Sequence, residues 1–411
     1  MSFQQGLSGL SAASRSLDVI GNNIANANTT GMKSSRAEFS GLYATSLNGG
    51  GGSTSPGIGV STDAIAQQFT QGNLSTTGND LDLGINGSGF YMVQTPSGDV
   101  VYSRAGNFKL DPQGNIITNS GAKLQGNIID PVTGGITKGS LSVPTNQGIA
   151  GKQTTDITAA LNLDTTAIVA SSVTPPTPVT TYGTSLNVYD SQGAAIPVSL
   201  YFQKTAANTW DVYADYPTGA TPSTTMSAPV GTVTFDAAGK LLTPAGGTIS
   251  LPGLQVAGAA TPAFVPAPTV DVSAMTQSAS SFFVSSLKQD GYAPGEYTGM
   301  KFADDGTLSA TFSNGQTQTV GQIVLANFTN VQGLEPTSGG YWKETVASGA
   351  PLKNTPGAGN FGKIAPGSLE DSNVDLTAEL VNMMTAQRAY QANAQTIKTQ
   401  DQVMSTLVNM R

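Results

Sequence analysis

The sequence predicts an α+β multidomain protein in which two terminal α-helices form a coiled coil and nested antiparallel β domains lie between them. Apolar residues recur at helical spacing near both ends of the chain, whereas short apolar runs alternate with turn residues throughout the middle. The 49 Gly and 22 Pro in 411 residues also suit a β protein with many turns. A chain of this length provides for roughly two to four domains.

The C-terminal stretch from Asn373 to Arg411 contains neither proline nor glycine. Its stripe positions follow each other at alternating steps of four and three residues, which is typical of a helix packed along its length on another helix. Asp371 and Ser372 lie where an N-cap is expected, and Asp375 falls in the first turn, where negative charge suits the helix dipole. The predicted stripe consists of Leu376, Leu380, Met383, Gln387, Tyr390, Ala394, Ile397, Asp401, Met404 and Val408.

A second stripe lies on the predicted helix from Phe3 to Ala27, and Gly31 is able to end that helix in the left-handed conformation of a C-cap. A lone two-helix coil buries only one stripe of each helix, so the pair gains most when many copies stack around a shared axis. We therefore predict an assembly interface formed by both stripes, without Ala394 and Asp401 of the C-terminal stripe. On the first helix this interface consists of Leu7, Leu10, Leu17, Ile20 and Ile24.

Alternatives remain at several of these positions. Helical stripes are usually core, so packing within a single subunit is the competing interpretation of both. The polar stripe residues Gln387 and Asp401 either set the register between helices or face the lumen or water. The Asn residues near Gly31 are by themselves typical of a fraying helix end, because Asn favours caps and turns.

Composition excludes several classes of function. Charged residues make up 11% of the chain and the net charge is -8, so nucleic acid is not an expected partner, because phosphate binding needs clustered Lys and Arg. The chain has no Cys and no His, which removes Cys/His pairs, Ser-His-Asp triads and nearly every zinc site. We expect no enzyme, no cofactor and no metal. Gly84 to Gly89 is interpreted as a β-turn rather than a phosphate loop, and Asp304-Asp305 as a turn rather than a calcium site.

The sequence shows no ordinary export signal, although its composition suits an extracellular protein. The N-terminus lacks the basic and apolar regions of a secretory signal peptide. No window approaches the ~18 apolar residues of a membrane span, so no membrane insertion is expected. A Cys-free, β-rich chain with much Ser, Thr and Gly nevertheless looks extracellular, which indicates export by a route without an ordinary signal.

The middle of the chain is predicted to consist of β-hairpins. An Asp-x-x-Gly turn recurs between apolar runs at Asp111–Gly114, Asp190–Gly193 and Asp236–Gly239, and in a shortened form at Asp304–Gly306. The Gly-rich run from Asn48 to Gly59 indicates a flexible linker. The predicted divisions are the N-terminal helix at 1–30, a linker region at 31–75, an inner β domain at 76–150 and 291–368, an inserted outer β domain at 151–290 and the C-terminal helix at 369–411.

Two long motifs at the chain ends resemble the terminal signatures of the bacterial flagellar rod, hook and hook-associated axial protein family. They are Ser16-Leu-Asp-Val-Ile-Gly-Asn-Asn-Ile-Ala-Asn-Ala-Asn-Thr-Thr-Gly-Met-Lys33 and Val374-Asp-Leu-Thr-Ala-Glu-Leu-Val-Asn-Met-Met-Thr-Ala-Gln-Arg-Ala-Tyr-Gln-Ala-Asn-Ala-Gln-Thr-Ile-Lys-Thr-Gln-Asp401. Within this family the chain is similar to the hook type over Gly321 to Phe328 and Gly367 to Asp375, and over outer-domain stretches that begin at Leu186, Val198 and Trp210.

The resemblance implies a structural subunit of the flagellar hook. It also adds four residues of the first motif to the expected interface between subunits, namely Asn22, Asn23, Asn26 and Asn28. The hook is a short, curved, hollow and flexible tube that joins the rod to the filament and transmits motor torque as a universal joint. The implied partners are further copies of the chain in a helical homopolymer, the distal rod protein, the hook cap, the hook-filament junction protein and the flagellar type III export apparatus. Export through that apparatus, without a cleaved signal peptide, implies an extracellular location in the flagellar basal body and hook.

Two alternatives compete with this interpretation. Within the family, a distal rod-type axial subunit is the alternative, and the hook-type outer domain argues against it. From another class, the alternative is a secreted β-rich adhesin or glycosidase with incidental terminal helices. A glycosidase needs clustered carboxylates beside aromatic residues, whereas the Asp residues here are scattered in turns. An adhesin needs an export route of its own, and none is visible in the sequence.

Overall fold

The computed structural model describes residues 2–43, 57–130, 133–145, 147–172, 178–216, 228–251 and 267–409. The chain forms two compact units, which we call the first and the second unit. The first contains Met1–Thr145, Gly299–Ala310 and Thr317–Arg411, and the second contains Asn146–Thr298 and Thr311–Gln316. The second unit is thus inserted into the sequence of the first. Residues 44–56, which include most of the predicted Gly-rich linker, lie outside the described residues.

Two helices stand at the chain ends of the first unit. Helix α1 spans Ser2–Ala25 and helix α2 spans Leu376–Asn409. After α1 the chain turns through residues 26–31, and Gly31 has the left-handed φ of 69° that the sequence predicted. A Cβ at Gly31 would lie 2.5 Å from the backbone nitrogen of Ala105, so this position also requires glycine for its close approach to the β core.

The N-cap of α2 differs from the prediction. Asp375 is the cap, because its Oδ1 accepts hydrogen bonds from the N–H groups of Thr377 at 2.8 Å and Ala378 at 3.2 Å. The assignment of Asp371 and Ser372 as caps was wrong. Both precede the helix, since the chain before residue 374 is held by hydrogen bonds to the β core and does not turn into a helix there.

A β-hairpin follows α1. Strand β1 (Ser35–Tyr43) pairs with β2 (Gly57–Gln67) in antiparallel register, with irregularities after Glu38 and after Leu42. The hairpin packs on α1, where the N–H of Val60 donates to Ser8 Oγ at 3.3 Å. Part of the region predicted as linker, 31–75, is therefore folded. The Gly-rich run between the two strands concealed their pairing in the sequence.

The chain next forms the strands that begin the β core of the first unit. They are β3 (Leu74–Thr76), β4 (Leu83–Asn86), β5 (Phe90–Gln94), β6 (Val100–Ser103), β7 (Lys109–Leu110), β8 (Ile116–Ile117), β9 (Lys123–Ile129) and β10 (Ile136–Ser140).

The second unit follows. Its strands are β11 (Asp156–Asp164), β12 (Gly183–Tyr189), β13 (Ala195–Ala206), β14 (Thr209–Asp215), β15 (Gly231–Phe235), β16 (Leu241–Thr243), β17 (Thr248–Ser250), β18 (Thr269–Asp271), β19 (Thr276–Ser278) and β20 (Phe283–Gln289). One sheet has the antiparallel order β12-β13-β14-β15-β16. In the other, β11 pairs antiparallel with β20 but parallel with β18 and β19, which hairpin turns alone do not predict. Buried Phe202, Trp210 and Ile157 belong to its core.

The remaining strands are β21 (Tyr297–Phe302), β22 (Thr307–Phe312), β23 (Thr317–Ile323), β24 (Leu325–Asn327), β25 (Glu335–Thr337), β26 (Tyr341–Lys343), β27 (Leu352–Asn354), β28 (Lys363–Pro366) and β29 (Ser368–Glu370). They complete the first unit, although the first two residues of β21 and the last two of β22 belong to the second. The main sheet has the order β21-β22-β23-β9-β5-β6-β26-β25. After the second unit the chain returns to this sheet, where β23 pairs with β9 and β24 with β5. Phe90, Tyr102 and Trp342 lie in its core.

The four predicted turns are present. The N–H groups of Gly114, Gly193 and Gly239 donate to the carbonyl oxygens of Asp111, Asp190 and Asp236 at 2.9 to 3.0 Å. Each of these glycines has a φ near +80°, as the last position of such a turn favours. The fourth turn, at Asp304–Gly306, joins β21 to β22.

Candidate assembly surface

Helices α1 and α2 pack against each other in antiparallel orientation. A Cβ added to Gly6 would lie 3.1 Å from Ile397, and one added to Gly9 would lie 2.9 Å from the side-chain amide of Asn393. As the residue number rises along α1, the facing residue number falls along α2, which defines the direction of the pair. Both glycines allow a close approach of the two helices that a larger side chain would prevent.

Asn23 connects three elements of the first unit. Its side chain is 1% exposed. Its Nδ2 donates to the carbonyl oxygen of Ser35 at 2.8 Å and to Glu379 Oε1 at 3.1 Å, while the N–H of Ser35 donates to its Oδ1 at 2.9 Å. The residue therefore fixes the start of β1 and the first turns of α2 against α1. Sequence reasoning placed Asn23 at an interface between subunits, whereas these hydrogen bonds lie within one subunit.

The other Asn residues of the motif lie at the end of α1. Asn22 and Asn28 are exposed, and Asn26 is half-buried. Asn26 Nδ2 donates to the carbonyl oxygen of Asn22 at 2.9 Å, and Thr29 Oγ1 donates to Asn26 Oδ1 at 3.4 Å. These local contacts match the helix-end role that was the alternative for Asn26, and they leave Asn22 and Asn28 accessible to a neighbour.

The predicted stripes divide into covered and exposed positions. On α1, Ile20 is buried, Leu7 is exposed, and the half-buried positions are Leu10, Leu17 and Ile24. On α2, the half-buried positions are Met383, Ala394 and Ile397. The exposed positions of that stripe are Leu376, Leu380, Gln387, Tyr390, Asp401 and Met404. The side chain of Val408 lies outside the described part of the structure.

The first turns of α2 present an apolar ridge that the described part of the subunit leaves about half exposed. Leu376, Leu380 and Met384 follow each other at steps of four residues and therefore share one face of the helix, with Val381 beside them. Their exposed fractions are 43, 51, 52 and 52% for Leu376, Leu380, Val381 and Met384. We call these four residues the α2 ridge. Strict heptad counting missed Val381 and Met384, although the adjacent pairs Leu380-Val381 and Met383-Met384 signal an apolar surface wider than one stripe.

The hairpin exposes apolar side chains as well. Phe39, Leu42, Ile58 and Ile65 are each 38 to 51% exposed. A two-stranded hairpin is marginally stable by itself, so this one depends on α1 and on whatever covers its outer face. Sequence reasoning missed this surface because the strands were assigned to the linker.

A groove of about 1020 Å³ lies between α1, the hairpin and the β core of the first unit. Its lining includes Val19 and Asn22 from α1, Ile65 from β2, and Tyr341 and Trp342 from β26. The exposed apolar and amide groups of α1 and the hairpin thus continue into a concave surface on the same unit.

The described residues contain no group of three or more His, Cys, Asp or Glu side chains placed to hold a metal ion. Asp305 Oδ1 accepts a hydrogen bond from the N–H of Thr307 at 2.9 Å, which is the local bond of a turn. No helix among them is both long enough and apolar enough to cross a membrane.

Sequence profiles of flagellar proteins match successive parts of the chain. They are flagella basal body rod protein over residues 3–33, flagellar hook protein FlgE/F/G D1 domain over 84–159, flagellar basal body protein FlaE D2 domain over 161–292, and flagellar basal body rod FlgEFG protein C-terminal over 365–410. The two terminal profiles cover the helix pair, and the D2 profile falls within the second unit.

Individual relatives match the whole chain. The flagellar hook protein FlgE of Salmonella typhimurium is 42% identical over 424 residues, covering 100% of both chains. The chain belongs to the flagellar hook protein family. It is a structural subunit of the flagellar hook, and the FlgE of Escherichia coli is 40% identical to it over 423 residues with the same coverage. The crystal structure of Helicobacter pylori flagellar hook protein FlgE2 shares its fold, with a TM-score of 0.52 and 15% identity over 71% of this chain and 98% of that one.

Proposed function

We propose that the chain polymerises through its helix pair into the curved, flexible, hollow tube that joins rod to filament and transmits motor torque as a universal joint. The observation that carries this proposal is the α2 ridge, four large apolar side chains in three helical turns that remain exposed in the single subunit. Exposed apolar patches of this kind are typical of surfaces that a partner covers. In a homopolymer the partner is another copy of the chain.

The exposure of each side chain supports a narrower choice of residues for the proposed interface. The exposed positions are the candidates on both helices, namely Leu7, Asn22, Asn28, Leu376, Leu380, Gln387, Tyr390 and Met404, with Val381, Met384 and Val403 added from the structure. Buried Asn23 and Ile20 act within the subunit in this proposal, where they hold the helix pair together. The half-buried stripe residues contribute to the packing within the subunit and to the proposed interface. They are Leu10, Leu17, Ile24, Met383 and Ile397.

The further partners follow from the family. We propose the distal rod protein, the hook cap and the hook-filament junction protein as neighbours in the flagellum. We also propose the flagellar type III export apparatus as the route to an extracellular location without a cleaved signal peptide. The second unit supports a hook subunit over a rod subunit, because its residues 161–292 match a D2 profile and full-length relatives named hook proteins cover it.

Negative-stain electron microscopy tests the proposal. The full-length chain is concentrated beside a core that lacks residues 1–30 and 371–411. We expect curved tubes from the full-length chain and dispersed particles from the core. Straight, stiff tubes would favour a rod-type subunit. Dispersed particles from both samples would overturn polymerisation, and tubes from the core would remove the helix pair from the interface.

A further inference from the structure

Three buried charges join both chain ends to the β core of the first unit. Lys33 Nζ lies 2.6 Å from Glu370 Oε1, and Arg104 Nη1 lies 3.1 Å from Glu370 Oε2. These side chains are 1, 6 and 0% exposed for Lys33, Arg104 and Glu370. Burial lowers the pKa of Lys33, and the neighbouring Glu370 opposes that shift. The cluster thus contains two cations that depend on one anion.

Glu370 is the shared partner of several segments. Its Oε1 also accepts a hydrogen bond from the N–H of Gly72 at 3.0 Å, and its carbonyl oxygen accepts one from the N–H of Gly31 at 2.7 Å. Both cations also donate to backbone carbonyls: Lys33 Nζ donates to that of Thr70 at 2.8 Å, and Arg104 Nη2 donates to that of Gly87 at 2.9 Å. The buried Arg104 Nε has no hydrogen-bond partner among the described residues. Removing Glu370 leaves both cations buried with no carboxylate beside them.

The residues on either side of Glu370 also connect the C-terminal part of the chain to its N-terminal segments. Strand β28 pairs with β4, and β29 pairs with β3, each in a sheet of two described strands. Past β29, Asn373 Oδ1 accepts a hydrogen bond from the N–H of Ser34 at 2.7 Å, and its Nδ2 donates to the carbonyl oxygen of Gln68 at 2.7 Å. Residues 363–373 therefore lie between segments that come from the first quarter of the chain.

We infer that residues 363–373, with Glu370 as the central contact, are a closing latch for the first unit. Two buried cations without an anion are strongly unfavourable, and β3 and β4 lack their described partner strands until this segment arrives. The first unit therefore closes only when the C-terminal segment reaches it, whereas the second unit folds on its own residues. When a chain is synthesised or exported N-terminus first, its first unit therefore cannot complete its fold until residues 363–373 have also emerged.

The two Trp residues of the chain make this inference measurable in the full-length protein. Trp342 lies in the core of the first unit and Trp210 in the core of the second. The variant Trp210→Phe leaves Trp342 as the only indole, and Trp342→Phe leaves Trp210. Thermal unfolding followed by tryptophan fluorescence in each background then reports on one unit at a time.

Glu370→Gln is the principal variant, and exposed Glu335→Gln is its matched control. We expect Glu370→Gln to lower the Trp342 midpoint by about 10 °C, the shift that the loss of one partner of a buried ion pair produces in a unit of this size. The Trp210 midpoint should change by less than about 2 °C. The latch would be refuted if the Trp342 midpoint of Glu370→Gln were no lower than that of Glu335→Gln. It would also be refuted if Glu370→Gln lowered the Trp342 and Trp210 midpoints equally.

The charge count gives a second test. Lys33→Met leaves one cation opposite one anion, so we expect a smaller shift from it than from Glu370→Gln. The double variant Lys33→Met/Glu370→Gln should recover part of the loss, because one of the two unpaired cations is gone. If Glu370→Gln yields no folded first unit, the double variant still tests whether Glu370 acts by neutralising the two buried cations. Lack of any recovery would show that Glu370 acts through shape and packing, and the inference would fail.

Discussion

Replacing Leu380 by Asp tests whether neighbouring subunits cover the α2 ridge. Leu380 is 51% exposed in the subunit, so the change should alter the stability of the subunit by only about 0.5 kcal/mol. When a neighbour covers the ridge, the remaining exposed half of the leucine contributes about 1 kcal/mol to assembly. Asp in its place loses that contribution and leaves a buried carboxylate without a partner, which costs about 3–5 kcal/mol.

The two effects together weaken each subunit addition by about 4–6 kcal/mol. Because 1.4 kcal/mol corresponds to a tenfold change in an equilibrium constant, even half of the lower figure raises the critical concentration for polymerisation about 30-fold. The measurement is the concentration of chain that stays in the supernatant when polymers are pelleted from samples of rising total concentration.

Leu242→Asp is the matched control for this assay. Leu242 belongs to the second unit and is 62% exposed, so the same substitution is made outside the helix pair. We expect it to polymerise like the unmodified chain. A critical concentration of Leu380→Asp within about threefold of Leu242→Asp would refute the assignment of the ridge to the polymer contact.

Three further predictions concern other parts of the molecule. Gly9→Leu forces a side chain into Asn393 and should raise the critical concentration roughly tenfold or more, an overpacking cost of about 1–3 kcal/mol; Gly21→Leu, where a Cβ meets nothing within 4 Å, is the pelleting control. The core of residues 31–370 retains the Glu370 cluster, so its circular dichroism should keep the strand signal; loss of that signal would contradict the domain organisation. Burial alone would raise the pKa of Asp290, but hydrogen bonds from Asp156, Thr155 and Lys152 lower it to about 2. Because that folded pKa is below the ordinary 3.8, the contribution to stability is complete above about pH 5 and is lost as the pH falls through about 2. The unfolding free energy of the second unit, followed at Trp210 in the Trp342→Phe background, should therefore exceed that of Asp290→Asn by about 1–2 kcal/mol at pH 6, and this difference should shrink towards zero as the pH falls to 2.

The long helix and the turns of this fold could be predicted from the sequence. Helix α2 has more than thirty residues without Gly or Pro, and the turns carry Asp and Gly at fixed offsets, so local pattern and chemistry suffice. The hairpin was missed for a physical reason. Its strands are joined across a Gly-rich run, and pairing between segments so separated leaves no periodic signal in one sequence.

The buried polar contacts were also beyond sequence reasoning. Lys33, Arg104 and Glu370 are ordinary charged residues far apart in the chain, and nothing local distinguishes them from exposed ones. Asn23 is similar, since its motif indicated a functional Asn but not which partner it binds. Such contacts depend on which distant segments meet, which spacing within a motif cannot specify.

Polar and apolar groups have different tasks in the helix pair. Asn23 orients α2 through a hydrogen bond to Glu379, and Gly9 permits close approach, so the contact within the subunit depends on geometry more than on a wide apolar seam. The large side chains Leu380 and Met384 are thereby left on the outer face. If these two side chains were buried between α1 and α2, they would stabilise the monomer and would no longer be available to drive assembly. In the polymer that we propose, weak apolar contacts between subunits would also lack the directionality of hydrogen bonds, so they would tolerate small sliding displacements at little cost, as a tube that bends while it rotates requires.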